Sequence, residues 1–327
     1  MNSESREENN MLKFGAVTID VSHPKTFSKV LGDLGRGQYT AVFNDGFRGE
    51  DEVIGFSEPL GLKVCGSLEE LADEVDIGMI HSCNWDKHID YAMPFIERGK
   101  PVFIDKPLVG NLKDARRMQA LCDGGAKIIG TSALRYTEEV QKIRDFVKET
   151  GAKVMHVDVS VGVDEYNYAI HGLETICAIV GDKPKTARYL GKADSGKEVC
   201  ESYMLTFEGG ATACYHNFGK KFVLFHTLVL TDGAGEEADF AFTMDKSKLY
   251  VPMIENVCNY LEGKENLLAS MEDMLIPIKA SLACKASRLS GGKEISLDDP
   301  CLEDISYDGY EFEAGYSANA KKLYIKQ

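Results

Sequence analysis

The chain has 327 residues, with 52 acidic against 37 basic side chains and a formal net charge of −15, which is enough chain for two domains that fold without staples. With no compensating basic run, that charge argues against a nucleic-acid or anionic-membrane partner, and no apolar run approaches the ~20 residues of a membrane helix. The nine cysteines are odd in number and scattered, with no C-x-x-C pair, which excludes a disulfide framework and a zinc cluster and suits a reducing cytoplasm.

The first ten residues are polar and acidic, without the basic and apolar regions of a secretion signal. From residue 12 to 130, short β-rich runs alternate with helical stretches, the pattern of a parallel sheet covered by helices on both faces. Strands are expected at 13–19, 39–43, 77–81, 101–104 and 127–130. Ser67-Leu68-Glu69-Glu70 is a capping box that opens a helix to about Asp73, and the stretch from Asp90 to Arg98 is a helix stopped at Gly99.

Beyond Thr131 the pattern changes. A helix is expected from Glu138 to Glu149, ended by Gly151, and then a half-buried strand at 153–161. Runs at 201–207, 211–218 and 222–231 read as consecutive antiparallel strands with glycine-containing turns. Amphipathic helices are expected at 253–261 and 271–289. The acidic tail at 304–327 stays unassigned: it either crosses back onto the first domain or joins an interface. The expected architecture is α/β: a Rossmann-type doubly wound parallel sheet at 11–132, then an α+β domain at 133–327 with a mostly antiparallel open sheet.

Two places carry candidate chemistry. Asp105-Lys106-Pro107 follows an apolar strand, and ligand sites in open parallel sheets lie beyond the carboxyl ends of the strands. Taken alone, Lys106 reads better as a solvated loop lysine. Asn167 and His171 fall at i and i+4 of an expected helix and would share one face. His171 has a reference pKa suited to a general base, although a lone histidine beside an apolar helix is more often a core residue.

The stretch from Ser67 through Asn84-Trp85-Asp86-Lys87-His88, Ala92 and Glu97-Arg98-Gly99-Lys100-Pro101-Val102-Phe103-Ile104-Asp105-Lys106-Pro107-Leu108 resembles the glucose–fructose oxidoreductase and inositol dehydrogenase family, Gfo/Idh/MocA. That family carries Glu-Lys-Pro at a strand end, preceded by Gly-Lys-x-Val; here the first position is Asp105. The resemblance continues through Arg135-Tyr136, Gly151-Ala152-Lys153-Val154 and Leu261-Glu262-Gly263-Lys264. It implies that Lys106 and His171 meet at the nicotinamide of NAD or NADP, with Asn167 where the family has Asp. An amide can orient a base but supplies no charge, so Glu174 or Asp164 is the alternative carboxylate. Arg135 and Tyr168 are the implied substrate contacts, and the implied substrate is a sugar, cyclitol or similar polyol. Homodimers or homotetramers through the second sheet are implied as well.

The implied cofactor cleft is lined by Thr18, Asp20, Ser22, His23, Asn44, Asp45, Cys83, Asn84, Trp85, His88 and Asp105. Its glycine loop is altered. Thr18 and Asp20 replace the first two glycines of G-x-G-x-x-G, and the Asp20 carboxylate opposes a diphosphate. Ser22 as N-cap, with Pro24 in the first turn, still offers open amides. The ribose-binding acid falls at Asn44 or Asp45. Asp45 favours NAD, whereas Arg48 leaves NADP open. The expected activity is hydride transfer on a CH–OH group. The alternatives are a nucleotide- or sugar-sensing regulator without redox chemistry, and a lyase or glycosidase that uses a nicotinamide transiently.

Overall fold

In the computed structural model, which describes residues 11–223, 225–233 and 238–325, the chain opens with alternating strands and helices. The reading of residues 1–10 lies outside this range. The elements are β1 (Leu12–Val17), α1 (His23–Leu34), β2 (Gly37–Phe43), α2 (Glu50–Ser57), β3 (Lys63–Val64), α3 (Leu68–Glu74), β4 (Ile77–Ile80), α4 (His88–Glu97), β5 (Val102–Ile104), α5 (Leu112–Asp123) and β6 (Ile128–Gly130). Their strands form one parallel sheet in the order β3-β2-β1-β4-β5-β6. The order reverses between β1 and β4, so the ligand crevice of such a sheet opens above the ends of those two strands.

Local chemistry explains the boundaries. Ser67 accepts the Glu70 amide to start α3, and α1 ends where Gly35 takes a left-handed conformation closed back onto Leu31 and Gly32. Phe27 and Leu31, one turn apart on α1, are buried against the sheet. The elements α2, β3 and α5 are additions to the expected set.

The chain continues through α6 (Glu138–Thr150), β7 (Val154–Val161), α7 (Ala169–Val180), β8 (Pro184–Asp194), β9 (Val199–Phe207), β10 (Thr212–Asn217), β11 (His226–Thr231), β12 (Phe240–Thr243), α8 (Val251–Leu261), α9 (Met271–Leu289), β13 (Ile295–Ser296) and α10 (Gly309–Asn319). The second sheet has the order β12-β11-β7-β10-β9-β8-β13. The expected run of three consecutive antiparallel strands holds only for β9 and β10. β10 and β11 are separated by β7, which is parallel to β10 and antiparallel to β11. Val157, Val159 and Val161 of β7 are wholly buried, which suits a central strand with a neighbour on each side. Helices α7 and α9 cover the inner face of this sheet through Leu173, Ile176, Met274, Ile278 and Leu282.

Two later segments return to the first sheet. Met253, Ile254, Val257 and Cys258 of α8 join one core with Phe14, Phe27 and Tyr39. After α10, residues 321–325 run along α2, and Tyr324 enters the same core. The tail therefore crosses back. No helix among the described residues is long and apolar enough to span a membrane.

Candidate active site

Lys106 leaves β5 into the crevice, and its ammonium donates to the Asn167 carbonyl at 2.8 Å and to Asn167 Oδ1 at 2.9 Å. It lies 4.9 Å from the centre of the Tyr168 ring. Burial pulls its pKa down, while Asp105 and Asp164 partly restore it. Asp105 points back into the sheet, where its carboxylate meets His23 Nδ1 and His81 Nδ1, and the two rings hold its pKa well below the carboxylate range against the opposing effect of burial. Tyr39 closes this buried chain through its hydroxyl, 2.8 Å from His81 Nε2.

His171 stands in the first turn of α7, with Nδ1 2.6 Å from Ser132 Oγ. That contact leaves Nε2 for a ligand. Burial, reinforced by Lys106, keeps the His171 pKa well below the ordinary histidine value, so the ring is neutral at physiological pH. Both residues line one pocket of about 240 Å³ with His23, Tyr168, Phe222, Phe225 and Tyr250. Lys106 and His171 are therefore together, as the sequence implied, and Ser132 is a site residue the sequence did not reveal. Three larger clefts hold neither residue: two, near 660 and 570 Å³, lie on α9 beside α5 and α7, and one near 380 Å³ lies on β7, β11 and β12.

Five expectations are corrected. Asn167 does not share a helix face with His171, because α7 begins at Ala169. Residues 164–168 form a turn in which Asp164 Oδ1 accepts the Tyr166 and Tyr168 amides, and this delivers Asn167 to Lys106 instead. Arg135 is no substrate contact: it is buried and donates to Glu174 at 2.8 Å and to the Asp273 carbonyl. That pairing removes Glu174 as a stand-in carboxylate, whereas Asp164 lies near enough to Lys106 for each to shift the other's pKa. Trp85 is covered rather than open to a ligand. Its indole donates to the Tyr307 carbonyl at 2.7 Å and packs between Tyr166 and Phe312. His88 is spent on the backbone, with one ring nitrogen on the Leu108 carbonyl and the other on that of Ser82.

At the dinucleotide loop, Thr18 keeps a glycine-like left-handed backbone (φ 59°), and its buried hydroxyl has no partner among the described residues. A left-handed non-glycine residue costs on the order of 1–3 kcal/mol. Thr18→Gly is therefore expected to stabilise the fold by about 1 kcal/mol after loss of the buried side chain, and chemical denaturation checks it. Asp20 is wholly buried: Oδ2 accepts the Cys83 amide at 3.1 Å, and Oδ1 has no hydrogen-bond partner among the described residues. A Cβ added at Gly46 would come within 2.1 Å of Oδ1, so only glycine lets the β2–α2 loop close over this carboxylate. Ser22 is exposed and makes no cap hydrogen bond.

The ribose end is also engaged internally. Asp45 accepts the Tyr91 hydroxyl at 2.5 Å, Asn44 accepts the Ile19 amide and donates to the Arg48 carbonyl, and Arg48 grips the Asp20 carbonyl and Glu52. Arg48 is not free for a 2′-phosphate. Asn84 donates to Glu313 of α10 at 3.0 Å. The pocket around Lys106 and His171 fits a nicotinamide ring and a small polyol, but the adenosine side of the crevice does not fit its half of a dinucleotide while the tail lies there.

A single parallel sheet with a lysine and a histidine meeting beyond its strand ends, followed by an open mixed sheet, defines a Rossmann-type two-domain fold. Residues 22–132 match the family described as the oxidoreductase family, NAD-binding Rossmann fold, of Gfo/Idh/MocA. A curated relative, the 1,5-anhydro-D-fructose reductase of Ensifer adhaerens, is 26% identical over 48% of this chain and 55% of its own length; the chain spans about half the length of that relative. The myo-inositol dehydrogenase of Lactobacillus casei, solved in complex with NAD(H) and myo-inositol, superposes with a TM-score of 0.72 at 13% identity, covering 90% of this chain and 99% of its own. The myo-inositol 2-dehydrogenase of Lactobacillus plantarum gives 0.72 at 12% identity, covering 88% and 99%. Over residues 22–132 the chain is similar to the Gfo/Idh/MocA family.

Proposed function

We propose that the chain is an oxidoreductase that interconverts a secondary alcohol and a ketone on a sugar, cyclitol or similar polyol, using NAD or NADP. The observation that carries this reading is the shared pocket lined by Lys106 and by His171, whose Nε2 has no partner among the described residues. The activities of the relatives, on inositols and an anhydrosugar, supply the substrate class.

A bound nicotinamide supplies the hydride acceptor or donor; the protein handles the oxygen. His171, neutral and held by Ser132, takes the hydroxyl proton on Nε2, which requires that Nδ1 carry its own proton toward Ser132 Oγ. Lys106 donates to the same oxygen and stabilises the negative charge that develops there. Asn167 fixes the ammonium through two contacts and so replaces charge with aim. Tyr168 and Tyr250 flank the pocket and suit the apolar face of a polyol ring.

The test is hydride transfer itself. Incubation with C4-deuterated NADH or NADPH and a panel of keto-inositols and ketoses is expected to place deuterium on one product carbon, read by mass spectrometry. Lys106→Met should lower that turnover about 10²–10³-fold, the usual loss for one oxyanion donor. No transfer to any panel member, together with no nucleotide binding, rejects the reading. A second reading, a regulator that senses a sugar or nucleotide without redox chemistry, is favoured by one observation: α10 and the segment after it lie in the dinucleotide crevice. The outer face of the second sheet exposes Leu228 and Leu230, and self-association through this face belongs to the same proposal, as does a reducing cytoplasmic setting for nine free thiols.

A further inference from the structure

The crevice above the ends of β1, β2 and β4 is where an open parallel sheet of this order receives a dinucleotide: pyrophosphate at the first helix, ribose at the end of the second strand. Here the chain's own carboxyl-terminal segment lies in it. Asp308 caps α10 by accepting the Glu311 amide, and Asp86 accepts the Gly309 amide at 2.8 Å, which seats the helix over the β4 end. Phe312 packs on Trp85 at 5.0 Å between ring centres, and Tyr316 on Phe47 at 5.9 Å. Glu313 bonds Asn84 and Lys87, and its carboxylate lies within 4.8 Å of the Asp20 and Cys83 side chains. An anionic group thus sits over the loop that would receive the pyrophosphate.

The extended residues that follow are held as firmly. Arg48, while gripping the Asp20 carbonyl, donates to the Lys321 carbonyl at 2.7 Å, and the Leu323 amide donates to Glu52 at 2.9 Å. The Tyr324 hydroxyl donates to the Val21 carbonyl, and its ring packs on Phe56. A Cβ on Gly55 would meet the Tyr324 carbonyl at 2.3 Å, so α2 is built to let this backbone pass. The contacts bridge the β1–α1 and β2–α2 loops, which are the two loops a pyrophosphate and an adenosine ribose need.

We propose that residues 309–324 are a built-in strap that occupies the adenosine diphosphate half of the cofactor crevice and must be displaced for a dinucleotide to bind. This rests on the oxidoreductase reading. The nicotinamide end stays open, because the pocket of Lys106 and His171 contains no residue of the strap. Two features fit a removable occupant better than a permanent filling. Its central charge, Glu313, faces another carboxylate, which weakens the seating. Most of α10 is exposed or half-buried, with Gly309 its one buried residue.

Trp85, the only tryptophan, lies beneath Phe312 and reports the strap directly. The experiment titrates the full chain, and a variant ending at Ala320, with ADP-ribose and NAD while following Trp85 emission and calorimetric heat. Hydrogen exchange of residues 309–324 is read with and without NAD. Loss of residues 321–327 is expected to tighten ADP-ribose at least tenfold. Saturating NAD is expected to red-shift Trp85 and remove protection from 309–324 in the full chain. Equal affinity in both proteins, with protection unchanged by bound NAD, overturns the strap while the oxidoreductase reading stands. Binding of neither ligand to either protein overturns both. If the shortened chain does not fold, exchange and emission in the full chain decide, and Tyr324→Ala, which removes one anchor, is expected to tighten ADP-ribose in the same direction.

Discussion

His171→Ala is expected to lower turnover by about 10²–10⁴-fold, the range for removing a general acid–base, with little change in nucleotide affinity. The reason is positional: His171 stands where α7 enters the pocket, and its engaged nitrogen is on Ser132 rather than on the cofactor crevice. Steady-state kinetics alongside calorimetric binding of NADH separates the two effects. Turnover unchanged by the substitution removes His171 from the chemistry. Loss of binding in step with turnover assigns it a structural role.

The direction of its pKa gives the pH dependence. Because burial and Lys106 hold the His171 pKa well below 6.5, the ring remains a proton acceptor throughout the neutral range. Alcohol oxidation should therefore stay flat from neutral pH down past the ordinary histidine value and decline only in stronger acid. Ketone reduction, which needs the protonated ring, should gain as pH falls over that same acid window. On the alkaline side, Lys106 loses its charge at a pH below the usual lysine value of 10.5, and both directions then lose their oxygen stabiliser.

The first sheet was legible because its strands are short apolar runs punctuated by caps and glycines: Ser67 and Gly99 act as read, as does Gly151 at the end of α6 beyond it. Lys106 and His171 were legible only through a chain-wide resemblance, since each residue alone is ordinary. Other features had no local signal. Ser132 is one serine among many until the fold sets it 2.6 Å from His171. Asn167 looked like a helical neighbour of His171 because Asp164, which starts the turn, has no fixed spacing to a helix. Arg135 carried the charge of a ligand contact, but its partner Glu174 is 39 residues away. The place of β7 between β10 and β11 is a long-range pairing that strand periodicity cannot rank. The tail could be read only as one of two alternatives, crossing back or joining an interface, because α10 is amphipathic only weakly and what seats it is a set of contacts to residues more than two hundred positions earlier.

Asp20→Asn is expected to stabilise the protein at neutral pH by on the order of 3 kcal/mol, and not at all near pH 4. Burial raises the Asp20 pKa from 3.8 to about 6, Glu313 adds to the rise, and the Cys83 amide and Lys87 oppose it. A carboxylate whose pKa is higher in the folded state binds its proton more tightly there. Its contribution to stability is therefore most favourable below pH 4, is lost as pH rises through about 6, and is constant above that. Asparagine has the same shape, can still accept the Cys83 amide, and carries no charge to desolvate. Denaturation midpoints for both proteins should diverge between pH 4 and 6 and then run parallel. A stability difference that is the same at pH 4 and pH 8 rejects a buried charge as its cause. Because Glu313 faces this position, the neutral side chain also removes a repulsion from beneath the strap, so hydrogen-exchange protection of residues 309–324 should rise at pH 8 as the variant resists unfolding better.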